Sequence, residues 1–189
     1  DPLSSIDRLD YSSDTTNAVT KGPLSQNNSD GAGSSNSAYG YVAGGRGSGN
    51  NHSSTVDRLD FSSDTTACAS KGPLTDEKRH VGATGNSIAG YHGGASPGNS
   101  VLERIDYFND TATAVVKGPL TSVRYAMGAT GNSSHGWFGG GSAVGPSFYS
   151  TVDRVDYSND TSTASPKGPL TSARNALGAA SSRANAIPS

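Results

Sequence analysis

Four acidic residues are each followed directly by arginine, and these pairs are the first residues in the chain that suggest acid–base chemistry. They are Asp7–Arg8, Asp57–Arg58, Glu103–Arg104 and Asp153–Arg154. A carboxylate beside a guanidinium can position a proton or a substrate. One active site does not need four copies of the same pair, however. The repetition therefore predicts salt bridges or hydrogen bonds between repeated structural units rather than catalysis.

Each pair is followed by a short acidic segment that is a weak candidate for a calcium loop. The acidic positions are Asp10 and Asp14, Asp60 and Asp64, Asp106 and Asp110, and Asp156 and Asp160. An EF-hand loop has a run of alternating oxygen ligands and a terminal glutamate, and these segments have neither. Aspartate and asparagine also bond to their own backbone in tight turns. We therefore expect capped turns here rather than a metal site.

Histidine and cysteine complete the residues that could do chemistry. The histidines are His52, His80, His92 and His135, and the one cysteine is Cys68. The histidines show no ligand spacing, and the chain contains no H-E-x-x-H, nucleophile-elbow or P-loop motif. A single cysteine forms no intramolecular disulfide, and alanine stands in its place in the other repeats. The sequence predicts a protein that is not an enzyme and has no cofactor or metal.

Composition excludes further classes of protein. Of the 189 residues, 32% are hydrophobic and 25 are glycine, and the net charge is −2. The 14 lysines and arginines are scattered, so neither a nucleic-acid stripe nor a polybasic membrane patch is present. No stretch approaches the roughly 18 apolar residues of a membrane span. Since the chain starts at Asp1 without methionine, we expect a processed product or an excerpt of a longer polypeptide.

The arginines recur with a fixed period. The repeated arginines are Arg8, Arg58, Arg104 and Arg154, and the successive spacings between them are 50, 46 and 50 residues. The tetrapeptide KGPL repeats with the same spacings. A period of roughly 40 to 50 residues is typical of propeller blades. We place the repeats at 1–24, 25–74, 75–120, 121–170 and 171–189, within a single domain at 1–189.

Each full repeat is predicted to form four short strands, which we letter a to d from the inside outwards. In the repeat at 121–170 they are RYAMGAT (124–130), GWFGG (136–140), TVDRVDYS (151–158) and TASPKGPL. Apolar and charged residues alternate imperfectly in the third of these, as expected of a half-exposed strand. Glycine and proline of KGPL end the fourth strand before the next repeat begins.

This layout resembles the kelch repeat. The matching residues are Arg79, Arg124 and Arg174, the pairs Gly44-Gly45, Gly93-Gly94 and Gly139-Gly140, and the aromatic residues Tyr11, Phe61, Tyr107 and Tyr157. Kelch units usually carry tryptophan in the fourth strand, whereas this chain has threonine and alanine. The resemblance implies an all-β propeller whose blades pack closely on small residues.

The phase of the repeat indicates how the ring is sealed. The chain begins with strands c and d, and it ends with strands a (RNALGAA) and b (ANAIP). We therefore expect a small β-propeller of four blades, each of four antiparallel strands, with the last blade composed of both termini. The alternative is an open half-ring that pairs with a second chain. A hydrodynamic mass near that of one chain, 19.1 kDa, would contradict the paired half-ring, and a mass twice as large would weaken the closed monomer.

The connections from b to c and from d to a emerge on one face, and they differ most between repeats. Variable loops on a repeated scaffold are typical of binding sites. The best-placed candidates for ligand binding are Arg46, Asn50, His52, Arg79, Arg124, Tyr149 and Arg174. For the arginines the alternative is a structural role, tied to backbone carbonyl groups. Polar loops with one or two aromatic rings suit a sugar.

The residue pattern of the repeat is also similar to repeat arrays in structural proteins of marine tailed phages. The leading hypothesis is a non-enzymatic module of a virion tail fibre or appendage that contacts host-surface glycans or other virion proteins. The alternatives are a free secreted lectin-like propeller and a kelch-type protein-interaction domain. We expect a virion or extracellular location, no nucleic-acid or membrane partner, and scope for an oligomer.

Overall fold

The computed structural model describes residues 2–13 and 15–181. Within them the fold is all-β, and helix is limited to short 3-10 turns such as Phe61–Ser63 and Tyr157–Asn159. The strands are β1 (Ile6–Arg8), β2 (Val19–Lys21), β3 (Ala32–Ser35), β4 (Tyr39–Ala43), β5 (Val56–Asp60), β6 (Ala69–Ser70), β7 (Gly82–Gly85), β8 (Ala89–Ala95), β9 (Asn99–Asp106), β10 (Val115–Lys117), β11 (Gly128–Gly131), β12 (His135–Gly139), β13 (Val152–Asp156) and β14 (Ser165–Lys167). None of the described residues forms a helix that is long and apolar enough to cross a membrane.

The strands form four antiparallel sheets in chain order. We call them unit 1 (β1–β2), unit 2 (β3–β6), unit 3 (β7–β10) and unit 4 (β11–β14). The three four-stranded units share one register, in which an aromatic residue of the second strand pairs with the arginine of the third strand. These pairs are Tyr41 with Arg58, Tyr91 with Arg104, and Trp137 with Arg154.

The first strands of units 2, 3 and 4 lie side by side on the inside of the molecule. β7 packs against both β3 and β11, and it shares the sequence Gly-Ala-Thr-Gly with β11. Such small side chains let neighbouring backbones approach closely. One cleft of about 180 Å³ is lined by Ser34, Thr84 and Thr130, one from each inner strand, and by residues 179–181. The all-β arrangement of repeated sheets fits a β-propeller-like fold, and the described residues do not form a closed ring.

The hydrophobic core lies between adjacent units rather than inside one sheet. One buried cluster joins units 2 and 3 and includes Tyr41, Val56, Leu74, Ile105 and Tyr107. A second joins units 3 and 4 and includes Tyr91, Leu102, Leu120, Phe138 and Val155. Since a four-stranded sheet has little core of its own, each unit depends on its neighbours to remove these side chains from water.

Stacked tyrosines link unit 2 to unit 3 and unit 3 to unit 4. The rings of Tyr41 and Tyr107 lie 4.5 Å apart at 11°, and those of Tyr91 and Tyr157 lie 4.6 Å apart at 12°. The Tyr91 hydroxyl donates to Asp160 at 2.8 Å, as Tyr41 does to Asp110 at 3.0 Å. Burial and the nearby Asp160 carboxylate raise the pKa of Tyr91, so that the hydroxyl stays protonated and remains a donor.

The second aspartate of each described acidic turn binds arginine and lysine of the preceding unit. Arg8 and Lys21 lie 2.6 and 3.1 Å from Asp64. The equivalent bridges join Arg58 and Lys71 to Asp110, and Arg104 and Lys117 to Asp160. The arginines of the four repeated pairs therefore form contacts between units where their partners are described.

The first aspartate of all four turns caps its own backbone. Asp60 accepts bonds from the backbone nitrogen and hydroxyl of Ser62, and Asp156 does the same for Ser158. These bonds lower the pKa of both carboxyl groups. Within the ranges that the structure describes, no cluster of three or more histidine, cysteine or acidic residues is placed to hold a metal ion.

The C-terminal strand a predicted at RNALGAA (174–180) is wrong as a regular strand, because none is formed there. The segment nevertheless continues the packing of the inner strands. The Ala176 nitrogen donates to the Ala126 carbonyl at 2.9 Å, as Ala126 does to His80. This segment lies beside unit 4 on one side. On its other side there is no described strand with which it could form a β-ladder. The predicted strand b at ANAIP lies outside the described residues.

His92 makes the stability of the fold depend on pH. Its ring is buried in β8, beside Lys78, and Nε2 lies 3.2 Å from the Ser34 hydroxyl of unit 2. Burial, together with the Lys78 charge, lowers the pKa of His92 from 6.5 to about 4. The unfolded chain therefore takes up a proton first as the pH falls. The stabilisation is complete above about pH 6.5 and is lost as the pH falls towards 4.

We expect the free energy of unfolding to decrease by about 2 kcal/mol between pH 7 and pH 5 because of His92. In His92→Val, which copies Val42 at the equivalent position, this decrease should disappear. Urea denaturation at the two pH values measures it. His52→Gln, on a loop, serves as the control and should keep the wild-type difference. An undiminished decrease in His92→Val would contradict the assignment.

Candidate recognition surface

The connections between second and third strands and those between units lie together on one face, which we call the loop face. Backbone bridges join Arg46 to both Ser29 and His52, and Ser53 to Lys78. Ser29 and Lys78 belong to connections that enter units 2 and 3, whereas Arg46 and His52 belong to the connection from β4 to β5. The loops that vary between repeats are therefore held against one another by hydrogen bonds.

A polar cleft of about 380 Å³ opens on the loop face at unit 2. Its lining includes amide, imidazole, hydroxyl and carboxylate groups, contributed by Gln26, Asn27, Asn51, His52, Thr55 and Glu77. The Gln26 amide donates to the hydroxyls of Ser53 and Thr55 at 2.9 and 3.0 Å. These bonds fix the orientation of the Gln26 amide within the cleft.

A second polar cluster, centred on Arg46, includes two of the candidate residues. The Arg46 guanidinium donates to the Asn50 side chain at 3.0 Å and to the Ser29 hydroxyl at 3.3 Å, and it lies 3.6 Å from Asp30. Asp30 also lies 3.4 Å from His80 Nε2. Burial lowers the pKa of His80, and the Asp30 carboxylate acts in the opposite direction. The cluster fixes Arg46 and Asn50 beside the cleft that contains His52.

Arg124 is a structural residue rather than a ligand-binding one. Its side chain is completely buried. It donates to the carbonyls of Gly140 and Thr151 at 2.7 and 2.9 Å, and to the buried carboxylate of Asp153 at 2.8 Å. Arg124 therefore ties the connection that enters unit 4 to the second and third strands of that unit. No part of it reaches a ligand on the surface.

Arg79 does not occupy the position in unit 3 that Arg124 has in unit 4. Counting from KGPL, Lys78 is the equivalent of Arg124, and Arg79 is one residue further on. Lys78 is buried and binds the buried carboxylate of Glu103, which corresponds to Asp153. The matching of Arg79 with Arg124 and Arg174 is thus wrong by one residue. Arg79 itself is half-buried.

Tyr149 and Arg174 lie on the loops of unit 4, away from the cleft at unit 2. The Tyr149 nitrogen donates to the Gly141 carbonyl at 2.9 Å, and its carbonyl accepts from the Arg174 nitrogen at 3.1 Å. The Arg174 side chain is exposed and donates to the Ser172 hydroxyl. The structure therefore brings together Arg46, Asn50 and His52 but does not place the other candidates with them.

Sequence reasoning missed most of the residues that line the cleft, among them Gln26, Asn27, Asn51 and Glu77. They lie in loops without a repeated motif, so only their polarity and position in a variable loop mark them. Lys78 carries a clearer signal, because its spacing from KGPL matches that of Arg124.

Comparison with known proteins yields no match, neither to a family model nor to a curated protein. The interpretation of the loop face therefore depends on its own chemistry.

Two equivalent arginines provide a matched test of the structural assignment. We expect Arg124→Met to reduce the free energy of unfolding by about 3 kcal/mol or more, because it leaves the Asp153 carboxylate buried without its partner. Arg174→Met should change it by less than about 0.5 kcal/mol, because that side chain is exposed. Chemical denaturation of both variants measures the difference. Equal effects would contradict the separate roles given to these two residues.

Proposed function

We propose that this protein is a non-enzymatic recognition module that binds glycans through the polar cleft of the loop face. The observation that carries the proposal is the chemistry of that cleft, in which the amides of Gln26, Asn27 and Asn51 lie near His52 and Glu77. Sugar hydroxyls both donate and accept hydrogen bonds, and side chains that are already oriented bind them at a lower entropic cost. The cleft offers donors and acceptors together.

The resemblance to structural repeats of marine tailed phages supports a place for this module in a virion tail fibre or appendage. In that setting the ligand is a glycan on the host surface, and other virion proteins are the further partners. A free secreted lectin-like protein would use the same cleft, so the ligand chemistry is common to both settings.

A kelch-type protein-interaction domain is the second candidate function, and one feature of the loop face favours it. Val144 and Phe148, on the connection from β12 to β13, are 70% and 51% exposed. Exposed apolar side chains on a loop suit a protein partner better than a sugar. A partner captured through unit 4 rather than unit 2 would support this candidate.

The scaffold that we propose is a ring of four blades in which the C-terminal repeat at 171–189 shares a blade with β1 and β2. Two observations support it. Residues 179–181 line the same inner cleft as β3, β7 and β11. Ser181 also lines a cleft of about 650 Å³ with Ile6, Arg8 and Lys21 of unit 1. Residues 179–181 thus line clefts with unit 4 and with unit 1, as the proposed shared blade requires.

A glycan array probed with the full chain tests the function. We expect binding to one class of glycan, and about a five- to tenfold weaker affinity for that glycan in Gln26→Ala or Asn51→Ala, since each variant loses a hydrogen bond of roughly 1 kcal/mol. Titration calorimetry measures the affinity. Asn159→Ala, on an exposed acidic turn, is the matched control and should bind as the wild type does. An array without any binder would count against the proposal.

A further inference from the structure

Three contacts between units repeat the same backbone bonds, and we call each of them a seam. In every seam the glycine of KGPL donates to the carbonyl of the turn aspartate in the next unit. The bonds from Gly22 to Asp64, Gly72 to Asp110 and Gly118 to Asp160 are all 2.8 Å long. The proline of KGPL then accepts from Cys68, Ala114 or Ala164 at 2.8 to 2.9 Å.

The close approach in a seam explains why this glycine recurs. A β-carbon at Gly72 would collide with the carbonyl of Ala112, and those at Gly22 and Gly118 would collide in the same way with Thr66 and Ser162. The residue that bonds to the proline is also small, and it is buried in all three seams. Each seam therefore has a donor half, with Arg, Lys and Gly-Pro, and an acceptor half, with an aromatic ring, Asp and a small residue.

Unit 4 carries a complete donor half, and none of the described residues accepts from Gly168 or donates to the Pro169 carbonyl as in the other seams. Its members are Arg154, Lys167, Gly168 and Pro169, with Trp137 opposite Arg154 where Tyr41 and Tyr91 lie opposite their arginines. Lys167 is exposed. A β-carbon at Gly168 would meet nothing within 4 Å among the described residues, in contrast to the other three glycines.

Unit 1 carries the matching acceptor half. By the repeat, Tyr11 corresponds to Tyr107 and Tyr157, and Ala18 corresponds to Ala114. The aspartate of this half is Asp14, which lies outside the described residues. Tyr11 is 96% exposed, and Ala18 is exposed although its equivalents are buried. The ring of Tyr11 and the backbone of Ala18 are thus not covered in the way that a seam covers them.

We propose that these two surfaces bind each other within one chain, forming a fourth seam in which Tyr11 and Ala18 dock on the donor half of unit 4. Trp137 then stacks on Tyr11, and Ala18 donates to the Pro169 carbonyl. The proposal rests on the four-blade ring of the proposed function. It names the residues through which unit 4 contacts unit 1, whereas the shared blade concerns the inner strands of the ring.

The occupant is the chain's own turn because both sides of the gap are already tethered to the same body. The salt bridges of Asp64 hold β1 and β2 on unit 2. On the other side, the bond from Ala176 to Ala126 holds the C-terminal segment on unit 4. A tethered partner has an effective concentration that a second copy in dilute solution does not reach.

A pair of engineered cysteines tests the seam in the full chain. In a Cys68→Ala background, Ala18→Cys and Pro169→Cys place a thiol on each half at the positions that are bonded in the other seams. An added mild oxidant should join them within one molecule, giving a product that keeps the monomer mass and migrates faster without reductant. Pro73→Cys with Ala114→Cys, across a seam that is formed in the structure, is the positive control.

Disulfide-linked dimers of the test pair would overturn the proposal and assign the seam to two copies. The absence of a cross-link would also overturn it, provided that the control pair is cross-linked. The cross-linking result does not depend on sugar binding. A glycan array without a binder would therefore contradict the proposed function but not the fourth seam.

A double-mutant cycle provides a second measurement that does not need cysteines. Trp137→Ala should lower the equilibrium constant for folding several-fold, and adding Tyr11→Ala to it should lower the constant little further, because the two rings stabilise one contact. Independent, additive effects would contradict the stacking of these two rings.

Discussion

The fold depends on the contact between units, in which one turn aspartate binds arginine and lysine of the preceding unit. Asp110 combines an ion pair with Arg58 at 2.7 Å, a second with Lys71 at 3.4 Å and a hydrogen bond from Tyr41 at 3.0 Å. The backbone of the same turn accepts from Gly72. Because the core lies between units, these bonds determine how the apolar faces meet. A unit without its neighbours would expose Tyr41 and Ile105.

A second set of buried polar contacts fixes the connections that enter each unit, and its residues change in pairs. Unit 4 uses Arg124 with Asp153, and unit 3 uses Lys78 with Glu103. At the entry to unit 2, Asn28 replaces the cation and donates to the Gly44 carbonyl at 2.8 Å. The buried Asp57 there accepts from the Ser25 nitrogen, and its other oxygen has no partner among the described residues. Unit 2, which carries the polar cleft, is thus the one whose entry lacks a buried ion pair.

Repeated residues form the seams and variable residues form the loop face, and this difference explains which surface is free for recognition. The seams use the residues that repeat, so they are occupied with one another and are not free to bind a ligand. The loop face uses residues that differ from unit to unit, and at unit 2 these are almost all polar. The same scaffold therefore carries a polar cleft at one unit and exposed apolar side chains, Val144 and Phe148, at another.

The repeat by itself determined the fold class, the four-stranded unit and the role of the arginines at 8, 58 and 104. Charges and turn residues that recur at a fixed period are expected at equivalent places in repeated units. Only the tertiary structure decided which acidic residue each arginine binds, since Asp64 lies 56 residues from Arg8. It also decided that Arg124 is buried whereas Arg174 is exposed, although both follow KGPL at the same distance: one has the second and third strands of its unit around it, and the other has none described. The cleft at unit 2 has no signature in the sequence, because its lining comes from three loops that share no motif and meet only through the packing of their strands.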